Sequence, residues 1–243
     1  MSKEKLQIKR RSMFGEVMVR FLRKPIAVFG AVIMIVVVAL CLLAPVIAPY
    51  DIDAQDITRK FTEPSQEFIC GTDNLGRDIF SRLLYGGRIS LMVGFVSASI
   101  AAILGVILGA IAAFYGKRTD NIIMRILDVF MALPQMLLAI AISAMIGTGI
   151  KGAIIAVTVA TIPRYAQAVR GPILSIRNQE FVEAAFAIDA KDSRIVLRHI
   201  LPNVLSPIIV QVTMGVGNAI TMAASLSFIG LGVSKPKASW GAL

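Results

Sequence analysis

Five long stretches without a charged side chain limit what this chain can become. Residues 25–50, 89–116, 129–150 and 204–232 contain no Lys, Arg, Asp or Glu, and residues 152–169 contain only Arg164. A bilayer core of about 30 Å is crossed by roughly 20 apolar residues in a helix. Helices suit that environment because their backbone groups bond within the segment. The stretches therefore predict an all-α, polytopic membrane helix bundle with five spans. The first is too long for the apolar region of a cleaved signal peptide and is expected to stay as an anchor. In the second, Gly105 and Gly109 stand at GxxxG spacing, which lets another helix approach closely. In the third, Pro134 comes early, where a kink is tolerable.

Composition agrees. The chain is 56% hydrophobic and 16% charged, with a mean hydropathy of +0.76, far from an ordinary water-soluble domain. Its formal charge of +10 does not imply nucleic acid, because the basic residues cluster between the apolar runs. They read as topology signals. Eight of them fall in residues 1–24, which places the N-terminus in the cytoplasm. Alternating from there puts 16 basic residues inside and 8 outside. The expected divisions are a cytoplasmic segment 1–24, span one over 25–50, an extracytoplasmic loop 51–88, and a core 89–243 that includes a cytoplasmic segment 177–203.

Several chemistries are excluded. Cys41 and Cys70 lack the spacing of a metal site or disulfide framework. His199 is the only histidine, too few for zinc. No phosphate-binding G-x-x-x-x-G-K-[ST] occurs, since Gly116-Lys117 is followed by Arg118. Hydrolase signatures are absent too, so no enzyme and no bound cofactor is expected. The spans hold no Asp or Glu, which counts against a proton-coupled carrier and leaves sodium coupling through backbone carbonyls open.

In the cytoplasmic segment, Phe181, Ala184, Ala185 and Ile188 recur at helical spacing, with Gln179, Glu180 and Glu183 off that stripe. Such a short amphipathic helix either enters a groove on another protein or folds back on its own spans. Arg164 lies about 18 Å into its span, past the midplane. Snorkelling or pairing with another helix is favoured there over a place on a transport pathway.

Glu183-Ala184-Ala185, followed after an interval by His199-Ile200-Leu201-Pro202-Asn203, closely resembles the EAA signature of ATP-binding-cassette importer permeases. Gly71-Thr72-Asp73, Gly76-Arg77-Asp78, Asp120, Met124-Arg125, Asp128, Leu133-Pro134, Ser227 to Gly232 and Trp240-Gly241 look like the dipeptide, oligopeptide and nickel branch. One span before a large outer loop is similar to the second permease subunit of that branch. The resemblance implies the type I importer permease fold, with a sixth span after Trp240-Gly241 that this chain is expected to lack. It also implies a homologous second permease, two cytoplasmic ATPases that hold ATP and Mg, an extracytoplasmic solute-binding protein, and a bacterial inner-membrane location. Phe181, Glu183, Ala184, Ala185, Ile188, Asp189, His199, Pro202 and Asn203 would couple to the ATPases, with Glu183 making a polar contact. Asp189 departs from the family glycine and must tolerate left-handed geometry. The alternative function is an ion-coupled secondary transporter. Thr72 or Asp73 is expected to cap a helix running toward Ser90.

Overall fold

The computed structural model describes residues 21–233 and 236–243, so most of the segment expected over 1–24 lies outside the described residues. The chain divides into two units, residues 1–47 and 48–243. In the first, helix α1 (Pro25–Leu42) begins with a proline at its first turn, where a missing N–H costs nothing. It is apolar on every face and leaves side chains such as Ile26, Phe29 and Ile35 exposed, as a span in lipid requires. A single further helical turn, Ala44–Ile47, follows it.

The second unit opens with a loop and continues as α2 (Ile79–Tyr115), α3 (Lys117–Met131), α4 (Gln135–Ile146), α5 (Ile150–Arg177), α6 (Glu180–Ala187) and α7 (Leu205–Phe228). Between α6 and α7 the chain passes through a helical turn at Asp192–Arg194, a π-helical stretch Ile195–Ile200 and a 3-10 turn Leu201–Val204. Among the described residues there is no strand, only an isolated bridge between Thr72 and Asp78. Among the described residues four helical runs are long and apolar enough to cross a membrane, and five if α3 and α4 count as one broken span.

Two boundaries differ from expectation. Helix α2 starts at Ile79, ahead of the apolar run, because Asp78 caps it: its Oδ2 accepts from the Ser81 N–H at 2.8 Å and the Ser81 hydroxyl at 2.6 Å. Thr72 and Asp73 therefore do not cap this helix. The third stretch is not one kinked helix. Residues 132–134 break it, and α3 and α4 meet at 87°. Leu133 precedes a proline, which disfavours helical backbone there, and Pro134 has no N–H to continue α3.

Helix α5 is the hub. On one side Ala153, Ala156, Val157 and Ala160 pack with Val93 and Ala98 of α2, Leu138 and Ala139 of α4, and Ala219, Ala223 and Leu226 of α7. Further along, Tyr165 packs with Ala101 and Ala102 of α2. The expected small-residue approach is realised here. A Cβ on Gly105 would stand 2.4 Å from Tyr165 Cβ, and one on Gly109 would stand 2.5 Å from the Ala166 carbonyl oxygen. Membrane helices gain little from hydrophobicity against each other, so such close backbone contact supplies much of their association. Gly109→Ala should therefore lower the thermal midpoint of the detergent-purified protein, by an overpacking cost of about 1–3 kcal/mol. Gly217→Ala, at a site with nothing within 4 Å, should leave it unchanged.

Candidate functional site

Three places carry the residues singled out above. The first is α6. Its first turn holds Glu180 and Glu183, favourable against the helix dipole. Val182 and Ala185 point inward and pack with Phe114 of α2, Ile173 of α5, and Ile195, Ile200 and Val204. Phe186 stacks on Phe114 with ring centroids 5.8 Å apart. Phe181, Glu183, Ala184, Ile188 and Asp189 are exposed. The expected apolar stripe is thus split: Ala185 belongs to the protein's own core, while Phe181, Ala184 and Ile188 remain on the outer side. The helix folds back on its own spans and still presents a second face.

Asp189 has φ +51°, the left-handed region that favours glycine. The Asp189 N–H donates to the Phe186 carbonyl and the Ala190 N–H to the Ala185 carbonyl, which together make a Schellman stop. The turn thus survives with aspartate in it. Of the later motif residues, Asn203 donates through Nδ2 to the His199 carbonyl at 2.6 Å, Pro202 is exposed and His199 half-buried. They build the approach to α7. No sequence motif pointed to Arg170, whose Nε and Nη2 grip both carboxylate oxygens of Asp120 at 2.6 and 2.5 Å. This bidentate pair ties α3 to α5 beside the α6 platform.

The second place is the loop that leads into α2. Asp73 Oδ1 accepts from the N–H groups of Leu75 and Arg77, and Oδ2 from Arg77 Nε at 2.8 Å. Thr72 accepts from the Thr62 N–H at 2.9 Å. Gly71 and Gly76 have φ of +73° and +70°, and a Cβ on either would strike the loop backbone at Thr62 or Asp56. Arg77, Asp78 and Thr72 are buried. All six motif residues therefore hold the loop together.

The third place is a cavity of about 380 Å³ under the break between α3 and α4. Leu133, Pro134 and Gln135 line one side, and Pro163, Arg164 and Gln167 of α5 the other. Arg164 is exposed and makes no ion pair among the described residues. The expected interhelical pair is thus not found among those residues. A bare guanidinium facing lipid at helix centre would cost about 2.5–3.5 kcal/mol on insertion scales. Among the described residues no cluster could hold a metal ion.

The long apolar helices packed around α5, with the short helix α6 docked across their ends, define a multi-pass membrane helix bundle. The family model described as "Binding-protein-dependent transport system inner membrane component" matches residues 105–243. A second, "N-terminal TM domain of oligopeptide transport permease C", matches residues 12–64. The dipeptide transport system permease protein of Alkalihalophilus pseudofirmus is 42% identical over 219 residues, covering 90% of this chain and 72% of that protein. The oligopeptide transport system permease protein of Bacillus subtilis is 38% identical over 240 residues, covering 99% and 79%. A chain of the MetNI methionine ABC transporter, in an inward-facing conformation, shares the fold with a TM-score of 0.57. It is 23% identical, and the match covers 64% of this chain and 77% of that one. This chain belongs to the family of binding-protein-dependent inner membrane transport components, the permease subunits of ATP-binding-cassette importers. Such permeases are not enzymes and have no cofactor of their own; ATPase activity lies in separate subunits.

Two outcomes follow from this geometry. Asp189→Gly removes a left-handed aspartate worth about 1 kcal/mol of strain, so hydrogen exchange at the α6 C-terminus should slow. In the loop, partial burial pushes the Asp73 carboxyl up, but the Arg77 and Leu75 N–H groups and the Arg77 guanidinium outweigh it, and its pKa lies below the ordinary value. A depressed carboxylate stabilises fully above its unfolded pKa, about 3.9, and loses that contribution as pH falls through the folded value. Protease nicking within 51–78 should therefore rise on acidification below about pH 4. Asp73→Asn should show that nicking at neutral pH and a weaker dependence on acid.

Proposed function

We propose that this chain is the second of two permease subunits of a bacterial importer that carries di- or oligopeptides across the inner membrane. Nickel is the other solute class that the sequence resemblance allows. In this reading the N-terminus is cytoplasmic, a homologous permease forms the other wall of the pathway, and an extracytoplasmic binding protein delivers the solute. Two cytoplasmic ATPases bind ATP and Mg and drive the cycle. None of the relatives named above is described as an ion-coupled carrier. Peptide as the solute is supported by the dipeptide and oligopeptide permeases, whose similarity runs over 90% of the chain or more.

The observation that carries the coupling role is the two-faced α6. Val182 and Ala185 fasten it to α2 and α5, while Phe181, Glu183, Ala184 and Ile188 face outward. A short rigid helix held in this way passes a push from an ATPase groove directly to the spans. The outward apolar side chains supply contact area, and Glu183 supplies a charge that a basic groove would pair.

Glu183→Lys reverses that charge without touching a span. Recovery of the ATPase subunits with the tagged permease should fall roughly tenfold, a cost of about 1.4 kcal/mol, with membrane insertion unchanged. Normal recovery together with normal transport-coupled ATPase activity would refute the role of α6. Uptake of labelled dialanine or of nickel by the reconstituted wild-type complex decides the solute class.

A further inference from the structure

The cavity beneath the helix break carries an inference beyond the coupling machinery. It rests on the peptide reading just given. An exposed break in a membrane helix and an arginine with no ion pair among the described residues share one space. Leu133 and Pro134 at the break are exposed, and Arg164 and Gln167 are exposed opposite them. Non-helical backbone at bilayer depth is tolerated only where protein buries it or water fills the space beside it.

Depth and direction argue against an arginine that merely reaches for the cytoplasmic headgroups. Helix α5 spans Ile150–Arg177, so Arg164 sits about 21 Å along a helix of about 42 Å. If the bilayer core begins near Lys151, its far boundary is near Arg170, about 9 Å beyond Arg164. Side chains on a helix lean toward its N-terminus, which here is the outer side, away from that boundary.

The chemistry of the cavity is one-sided. Arg164, Gln167 and Gln135 bring hydrogen-bond donors, no Asp or Glu lines the space, and the remaining walls are apolar. A planar guanidinium in such a setting matches a carboxylate, which it binds through two parallel hydrogen bonds. The volume, about 380 Å³, suits a small terminal residue rather than a whole oligopeptide. We propose that this cavity is a station on the transport pathway where Arg164 holds the C-terminal carboxylate of the passing peptide.

The test uses the complete transporter, with all its subunits and its binding protein, in proteoliposomes. Uptake of trialanine is compared with uptake of its C-terminal amide, which removes the carboxylate and leaves everything else. The binding protein is the same in every arm, so its own preference cancels between variants. Arg164→Gln should reduce the acid-to-amide ratio about tenfold, the scale of one charge-assisted interaction, and Arg164→Lys should restore part of it. An unchanged ratio, or equal slowing of both peptides, overturns the proposal and assigns Arg164 to lipid or to the second permease.

Should Arg164→Gln fail to assemble, Gln167→Cys in a Cys41→Ala, Cys70→Ser background, which keeps Arg164 in the same cavity, gives an independent measurement. Its labelling by a cationic thiol reagent should be slowed by trialanine and not by the amide; equal labelling rates overturn the idea. If the wild-type complex carries no peptide, the peptide reading fails by itself. The labelling experiment with N-acetylalanine against its amide then still decides for Arg164.

Discussion

The near-contact of α2 and α5 at Gly105 and Gly109 is the constraint from which the rest of the bundle follows. Without side chains at those two positions, the α5 backbone at Tyr165 and Ala166 can press against α2 at distances no Cβ would allow. In lipid there is no water to drive helices together, so surface fit must do the work. Once α5 is held there, its alanine-rich N-terminal half receives α4 and α7, and its C-terminal half receives α6. Arg164, Arg170 and the α6 platform are thus all positioned by one helix.

That arrangement explains why the features around α6 form a single block. Phe114 at the end of α2 stacks on Phe186 of α6, Ile173 of α5 packs against Val182 and Ala185, and Arg170 holds Asp120 of α3. Helices α2, α3, α5 and α6 are therefore joined at one end by packing and a bidentate ion pair. Each join uses residues from different helices, so displacement of one element is shared by its neighbours.

The spans were legible because lipid excludes charge, and their uncharged runs could be read directly. The start of α2 was legible only in part: a helix running toward Ser90 from a cap at Thr72 or Asp73 was expected, and the cap is Asp78, a few residues further along the same loop. Pro134 announced a disturbance, but a proline that kinks and a proline that divides a helix at 87° look alike in sequence. Which one occurs depends on whether neighbouring helices satisfy the freed backbone. Periodicity found the α6 stripe yet could not tell that Ala185 faces the protein's own core while Ala184 faces out, since the two point about 100° apart and only packing against other elements decides which direction is inward. Asp189 was readable from the tolerance of aspartate for left-handed backbone, which its φ of +51° now uses. Arg170 carried no motif, and its role came from the position of Asp120 on another helix.

The chain between α6 and α7 changes helical pitch twice, from the wide π-helical turn at Ile195–Ile200 to the tight 3-10 turn at Leu201–Val204, with Pro202 at the change. Neither ring size is the resting geometry of an α-helix, and each is used where hydrogen-bond alignment is poorer. A segment of this kind has torsional compliance: it winds or unwinds a fraction of a turn more readily than the rods on either side. Were α6 pushed sideways, as the proposed coupling role requires, the push would reach α7 partly as rotation about its own axis, and the residues that α7 shows to its neighbours would be re-aimed by a twist, with little change in how far the helix is tilted.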